Sequence, residues 1–248
     1  MHRQHGVVKV LILGLWVLFF LNGCAVVDWF LGGEEEKYPQ EIMIEGMENL
    51  EKGRYKDAVE AFQKIADRYP YSKYAVLAEI KMADALYLQK EYDLAYESYD
   101  EFEKLHPKHE DIPYVIYQKG MCNFRQIKTI DREQGHTLSA KQEFERLVRR
   151  FPRDDYADRA RKNIRKCLIF LAEYELYVGH FYYKKKNYRA ALGRYMYIIE
   201  NYPDMGQYHE AMEYISRCKE RLAKEEAEDK ESDELIKESG AGTLESST

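Results

Sequence analysis

The chain has 248 residues, 38 of them basic and 44 acidic, with a formal net charge of −6 at pH 7 and four cysteines. The acidic balance argues against nucleic acid as a partner, and none of the cysteines shows metal-ligand spacing. The length suits one or two ordinary domains.

Residues 2 to 9 carry Arg3, Lys9 and two histidines, with no acid. Residues 10 to 21, "VLILGLWVLFFL", are apolar throughout yet short for a membrane span. Together they read as an export signal. The signal ends in Leu21-Asn22-Gly23-Cys24, which resembles the lipobox of bacterial lipoproteins. The resemblance implies a signal peptide over residues 1–23, cut before Cys24, with the Cys24 thiol diacylated and a third chain on the new amino terminus. Apart from that covalent lipid no cofactor is expected. Each buried methylene is worth about 0.8 kcal/mol, so three chains hold a protein on a membrane essentially permanently. Ala25, rather than an aspartate, follows the cysteine. By the sorting rule of such lipoproteins that implies the periplasmic face of the outer membrane.

Loss of Arg3 and Lys9 takes the net charge from −6 to −8. Residues 24–37 are the lipidated cysteine and a tether ending in "GGEEE". Its stretch from Ala25 to Glu36 reaches at most about 40 Å. Cys122, Cys167 and Cys218 remain, an odd number, and read as small buried apolar residues on helices.

From residue 38 onward the chain repeats itself. Ala58 stands 12 residues after Gly46, Phe62 16 after it and Pro70 24 after it. Ala83 heads the same series with Ala95, Tyr99 and Pro107, and Gly179 does so with Ala191, Tyr195 and Pro203. A further copy begins at Gly120; its Ala140, Phe144 and Pro152 keep their mutual spacing after eight inserted residues. Such a series needs paired antiparallel helices. The small residue and the alanine let two helices approach, the aromatic fills the space one turn on, and the proline ends the second helix. First helices are predicted near 39–52, 73–89, 112–128 and 172–186, and second helices near 55–68, 92–105, 137–150 and 188–201. The turns "KGRY", "QKEY" and "KKNY" separate three of the pairs. After Pro152, "DDYADRARKNIRKCLIFLAEYE" must supply extra helix, and a last packed helix is expected near 207–222.

This pattern resembles the tetratricopeptide repeat. It implies an all-α, right-handed solenoid of about four helix pairs plus a capping helix, over residues 38–222. Residues 223–248 should form an acidic, partly disordered tail, since Lys224 to Glu238 holds eight acids against three lysines. In this repeat class the concave surface comes from the first helices, three before, one after and four after the small residue. Those positions hold Met43, Met47 and Leu50, then Ile80, Asp84 and Tyr87. The later pairs give Tyr117, Met121 and Phe124, then Leu176, His180 and Tyr183. A face of aromatics and methionines suits an extended apolar-aromatic peptide.

An enzyme is not expected. "HPKH" at 106–109 sits on a turn, with Pro107 in its repeat position. Glu173 and Glu175 are two apart and cannot share one face of a helix. The chain shows no nucleophile elbow, phosphate loop or zinc motif.

The repeat ends "YPYSKYA", "FPRDDYA" and "YPDMGQY", the segment "IPYVIYQKGMCNF", the insertion "DREQGHTLSAKQEFERLV" and the stretch from Leu171 to Pro203 complete a second resemblance. With the lipobox, they are similar to the BamD family of outer-membrane β-barrel assembly lipoproteins over roughly residues 38 to 222. The resemblance implies an adaptor with three kinds of partner: a POTRA domain of a BamA-like protein, other assembly-complex lipoproteins, and the C-terminal strands of unfolded outer-membrane proteins. It also carries a docking role to the arginine of "AALGRYM", Arg194, whose plain alternative is an ion pair with Glu200 or a tail acid. The family usually closes with a fifth repeat, absent here. The alternative function is a tetratricopeptide lipoprotein scaffold for peptidoglycan or cell-division machinery.

Overall fold

The computed structural model describes residues 37–132 and 134–242. The signal segment, Cys24 and the tether to Glu36 lie outside the described residues. Among the described residues the structure is helical throughout, without a strand. In chain order the helices are α1 (Pro39–Glu51), α2 (Tyr55–Arg68), α3 (Ala75–Leu88), α4 (Tyr92–Leu105) and α5 (Ile112–Phe124). They continue as α6 (Gly135–Arg150), α7 (Asp155–Lys184), α8 (Tyr188–Asn201) and α9 (Tyr208–Gly242). Each packs on its sequence neighbours, so the chain is a stack of helical hairpins, as the repeat predicts.

Local chemistry explains the ends. Pro39 opens α1, where its missing N–H costs nothing, and the Glu41 carboxylate accepts from the Tyr38 N–H at 3.1 Å. Asp154 caps α7 through the Tyr156 N–H at 2.8 Å, and Asn187 caps α8 through the Ala190 N–H at 3.2 Å. The hairpin turns share one device. Gly53, Lys90 and Lys186 occupy the same turn position with φ of 71°, 69° and 60°. That left-handed residue ends the first helix and turns the chain back.

The repeat signature becomes contact. A Cβ built on Gly46 would stand 2.5 Å from the Phe62 ring. The same holds for Gly120 against Phe144 and Gly179 against Tyr195, each at 2.5 Å. Hydrogen in place of a methyl is thus what lets the two helices close on a buried aromatic. Three cores result: one around Phe62 and Ile65, one around Tyr99, Phe102 and Phe144, and one around Tyr195 and Ile198. Cys122, Cys167 and Cys218 are free and buried in these cores. Burial pushes the Cys122 and Cys167 thiols up to about 12, which keeps them protonated and inert.

Three helices depart from their predicted bounds. The helix predicted over 112–128 stops at Phe124. The helix predicted over 172–186 is the second half of α7, which runs 30 residues without Gly or Pro until Gly179 and so never breaks. Its first half packs on α6 through Ala160 and Cys167, and its second half packs on α8. At the other end α9 continues to Gly242, past the predicted limit near 222. It packs through Ala211, Ile215 and Cys218, while its side chains from Ala223 to Glu234 are exposed. The limit near 222 therefore marks where packing stops rather than where the helix stops.

A buried charge joins the second and third hairpins. The Lys119 ammonium is almost fully enclosed and contacts the carboxylates of Asp100, Glu103 (3.3 Å) and Glu143 (3.8 Å). Arg146 donates to Glu103 at 2.6 Å and 2.8 Å in a bidentate fork, and Arg150 adds a third bond at 2.9 Å. Burial opposes ionisation of Glu103, but Arg146 and Lys119 outweigh it and hold that carboxyl below its ordinary range.

Candidate functional site

The structure assigns the predicted groove residues to three separate cores. Met43 and Ile80 are 6% and 3% exposed, so neither lines an open groove. Asp84 is also buried, accepting from the Tyr99 hydroxyl at 2.6 Å and the Tyr114 hydroxyl at 2.5 Å, with the Lys81 ammonium at 2.8 Å. Burial, then the Asp84 carboxylate, pushes the Tyr99 hydroxyl well above its usual range, so it stays a donor. Met47 and Leu50 lie half-buried against the first core.

Tyr87, Tyr117, Met121 and Phe124 are brought together on the second core. The Tyr87 hydroxyl accepts from Arg125 at 3.0 Å. The Tyr117 ring lies 5.7 Å from Phe144 and 5.4 Å from Tyr156. Met121 meets Asn163 at 3.3 Å, and Phe124 lies 6.5 Å from Phe170. His180 and Tyr183 belong to the third core, with Leu176. His180 bridges the Tyr195 hydroxyl (2.9 Å) and Glu210 (3.1 Å), fastening α7 to α9. Tyr183 packs edge-on to Tyr188 and Tyr214 at 5.3 Å and 5.1 Å.

The apolar residues that do reach solvent on the first helices are different ones: Ile44, Leu77, Leu88, Tyr177 and Phe181. The reason is angular. At about 100° per residue, the predicted offsets lie roughly 40–100° from the small residue and so flank the packed face. Ile44 and Tyr177, two residues before their glycines, lie roughly 160° away and point outward. The helical period, centred on the glycine, carries that signal in the sequence.

Arg194 lies on α8, 42% exposed, and donates to Glu175 of α7 at 2.9 Å. Its intramolecular partner is thus Glu175, not Glu200 or a tail acid. The pairing follows from the hairpin: Arg194 is one residue before Tyr195 and Glu175 one turn before Gly179, so the two flank the closest helix–helix contact. The bond to Glu175 raises the guanidinium pKa further, fixing the charge. Asp131 and Arg132 are exposed in the connection before α6. His106 Nε2 meets Glu79 at 2.8 Å, joining a turn to α3. No helix among the described residues is long and apolar enough to cross a membrane.

Comparison with known proteins adds a family to this geometry. Residues 35–235 match the family model YfiO, described as "Outer membrane lipoprotein". The outer membrane protein assembly factor BamD of Rickettsia prowazekii is 32% identical over 190 residues, 73% of this chain and 76% of that protein. BamD of Caulobacter vibrioides is 30% identical over 71% of this chain and 58% of that protein. BamD of Neisseria meningitidis serogroup B is 28% identical over 75% of this chain and 73% of that protein. Among solved structures, the TPR2AB domain of yeast Sti1 in its pHSP90 complex is similar to 74% of this chain, with a TM-score of 0.43 and 14% identity over 70% of that chain. The family match spans every helix hairpin described above, and on it the chain belongs to the BamD family of outer-membrane lipoproteins.

Proposed function

We propose that this chain is a lipid-anchored, non-enzymatic adaptor of outer-membrane β-barrel assembly, facing the periplasm. The observation that carries the reading is the family match over residues 35–235, which includes the whole hairpin stack. The relatives bear the name outer membrane protein assembly factor. In this reading Cys24 carries the lipid. Four exposed apolar residues of the first helices, Ile44, Leu77, Leu88 and Tyr177, meet extended C-terminal segments of unfolded barrel proteins. Arg194, half out in solvent beside Glu175, docks a POTRA domain of the barrel-forming partner.

Purification of the full chain from detergent-solubilised envelopes of its own host tests the reading. Recovery of a large POTRA-bearing barrel protein in near-stoichiometric amount is the expected result. Recovery of murein or division enzymes in its place would overturn it in favour of a cell-wall scaffold.

A further inference from the structure

Each hairpin's first helix presents three equivalent positions to the helix before it: five before, one before and two after the small residue. In α3 these are Ala78, Met82 and Ala85, packed in one core with Phe62 and Ile65 of α2. In α5 they are Val115, Lys119 and Cys122; the first and last share a core with Tyr99 and Phe102 of α4, and Lys119 pairs with α4 carboxylates. The first hairpin has no preceding helix among the described residues, and there the positions hold Glu41, Glu45 and Glu48, all exposed. Where no described helix covers the stack, these positions are thus charged.

The fourth hairpin breaks that rule. Its equivalent positions, counted from Gly179, hold Tyr174, Val178 and Phe181. The helix that precedes it, α6, has 16 residues, about 24 Å, and runs back along the first half of α7 only. Cys167 is the last α7 residue in the core that α6 helps to build. Tyr174, Val178 and Phe181 lie about two to four turns farther on; Tyr174 and Val178 are half-buried and Phe181 is 52% exposed. An apolar slot for a preceding helix exists, and no helix among the described residues fills it.

The rim says what would fill it. Just beyond Phe181, the end of α7, the turn and the start of α8 hold Lys184, Lys185, Lys186 and Arg189, all exposed and with no acid paired to them among the described residues. Such a cluster stands out in a chain of net charge −6. The equivalent slots of α3 and α5 take helices whose contact residues are large, against small ones such as Ala78, Ala85 and Cys122. Here the large side chains, Tyr174 and Phe181, are on the slot itself, so its occupant must bring small ones.

We infer that this slot receives an amphipathic helix of another protein, with small apolar residues on its buried face and carboxylates along its edge. The inference deepens the docking reading, because Tyr174 of the slot directly precedes Glu175, the partner of Arg194, and it rests on that reading.

The test places the photo-reactive residue p-benzoylphenylalanine at position 181 of the full chain in its own envelope, with position 71 as a control, since Tyr71 is fully exposed elsewhere. The expected product joins position 181 to a helical segment rich in Asp, Glu and Ala of a second protein, and position 71 does not form it. Combining Lys185→Glu with Lys186→Glu should lower its yield at least tenfold. A product at 181 with lipid only, with a second copy of this chain, or with nothing would overturn the inference, as would insensitivity to the charge reversals. Partner capture by the Arg194→Lys variant separates the two claims. Weakened capture alongside no product at 181 removes the slot and leaves the docking reading; unchanged capture and no product removes both.

Discussion

The Gly179 Cα lies so near the Tyr195 ring that a Cβ there would come within 2.5 Å of Cε1, the same distance found for Gly46 against Phe62. Both glycines and both rings are buried, and a close-packed interior leaves a ring little room to retreat. Gly46→Ala and Gly179→Ala should each lower stability by about 1–3 kcal/mol, the usual cost of overpacking. Lys230→Ala, on the exposed part of α9, should leave the thermal midpoint unchanged. Differential scanning calorimetry of the three variants checks this, and equal losses would place α9 beyond residue 222 in the core.

Lys119 is the centre of a buried network rather than an apolar contact. Lys119→Met keeps the length of the side chain and removes the charge, leaving Asp100, Glu103 and Glu143 with less compensation. Removing one partner from a buried pair costs roughly 3–5 kcal/mol, and Arg146 and Arg150 remain, so the loss should fall near the lower figure. Urea unfolding of the variant measures it.

The same network sets an acid limit. Asp100 and Glu103 each have burial working against the charge, yet Lys104 and Lys119 lower Asp100, and Arg146 and Lys119 lower Glu103. A carboxyl depressed in the native state stabilises fully above its unfolded value, here 3.8 for Asp100 and 4.5 for Glu103. That contribution is lost as pH falls through the native values. Stability should therefore be flat from pH 7 to about 5 in this respect and drop below about 4.5, and the drop should shrink in a Glu103→Gln, Lys119→Met double variant. Thermal melts across that range give the comparison.

Much of this was legible in the residues. The spacing of Gly46, Ala58 and Phe62 and its later copies specifies the hairpins, because a helix–helix contact needs a small residue opposite a large one. The groove was legible only in part. Counting offsets from a repeat template picks Met43 and Ile80, which turn inward, whereas Ile44, Leu77, Leu88 and Tyr177 are found by rotating about 120–160° from the small residue. The Lys119 network was hidden, since its carboxylates come from α4 and α6, and only the stacking of three helices brings them to one cation. The unbroken α7 was half visible: the extra helix after Pro152 was required, but not its fusion with the fourth hairpin.

Arg194 already has Glu175 at 2.9 Å, which changes how its docking role is tested. Reversing the charge would set a second carboxylate beside Glu175 and disturb the hairpin itself. Arg194→Lys keeps the internal pair and loses the planar fork. It should leave the thermal midpoint nearly unchanged and weaken capture of the POTRA-bearing partner by about tenfold, or roughly 1.4 kcal/mol. Equilibrium binding of purified full-length chain and partner checks it, and equal affinities would remove Arg194 from the interface.

The central claim is service to β-barrel assembly, and depletion of the chain in its own host, followed by the amount of folded barrel protein in the outer membrane, tests it most directly. The account expects the heat-modifiable, folded fraction of several barrel proteins to fall together as the chain is lost, with unfolded forms accumulating in the periplasm. Wild-type chain restores it, and Cys24→Ala restores it poorly. Unchanged levels of folded barrels in depleted cells, accompanied by defects in septation or the cell wall, would contradict the account.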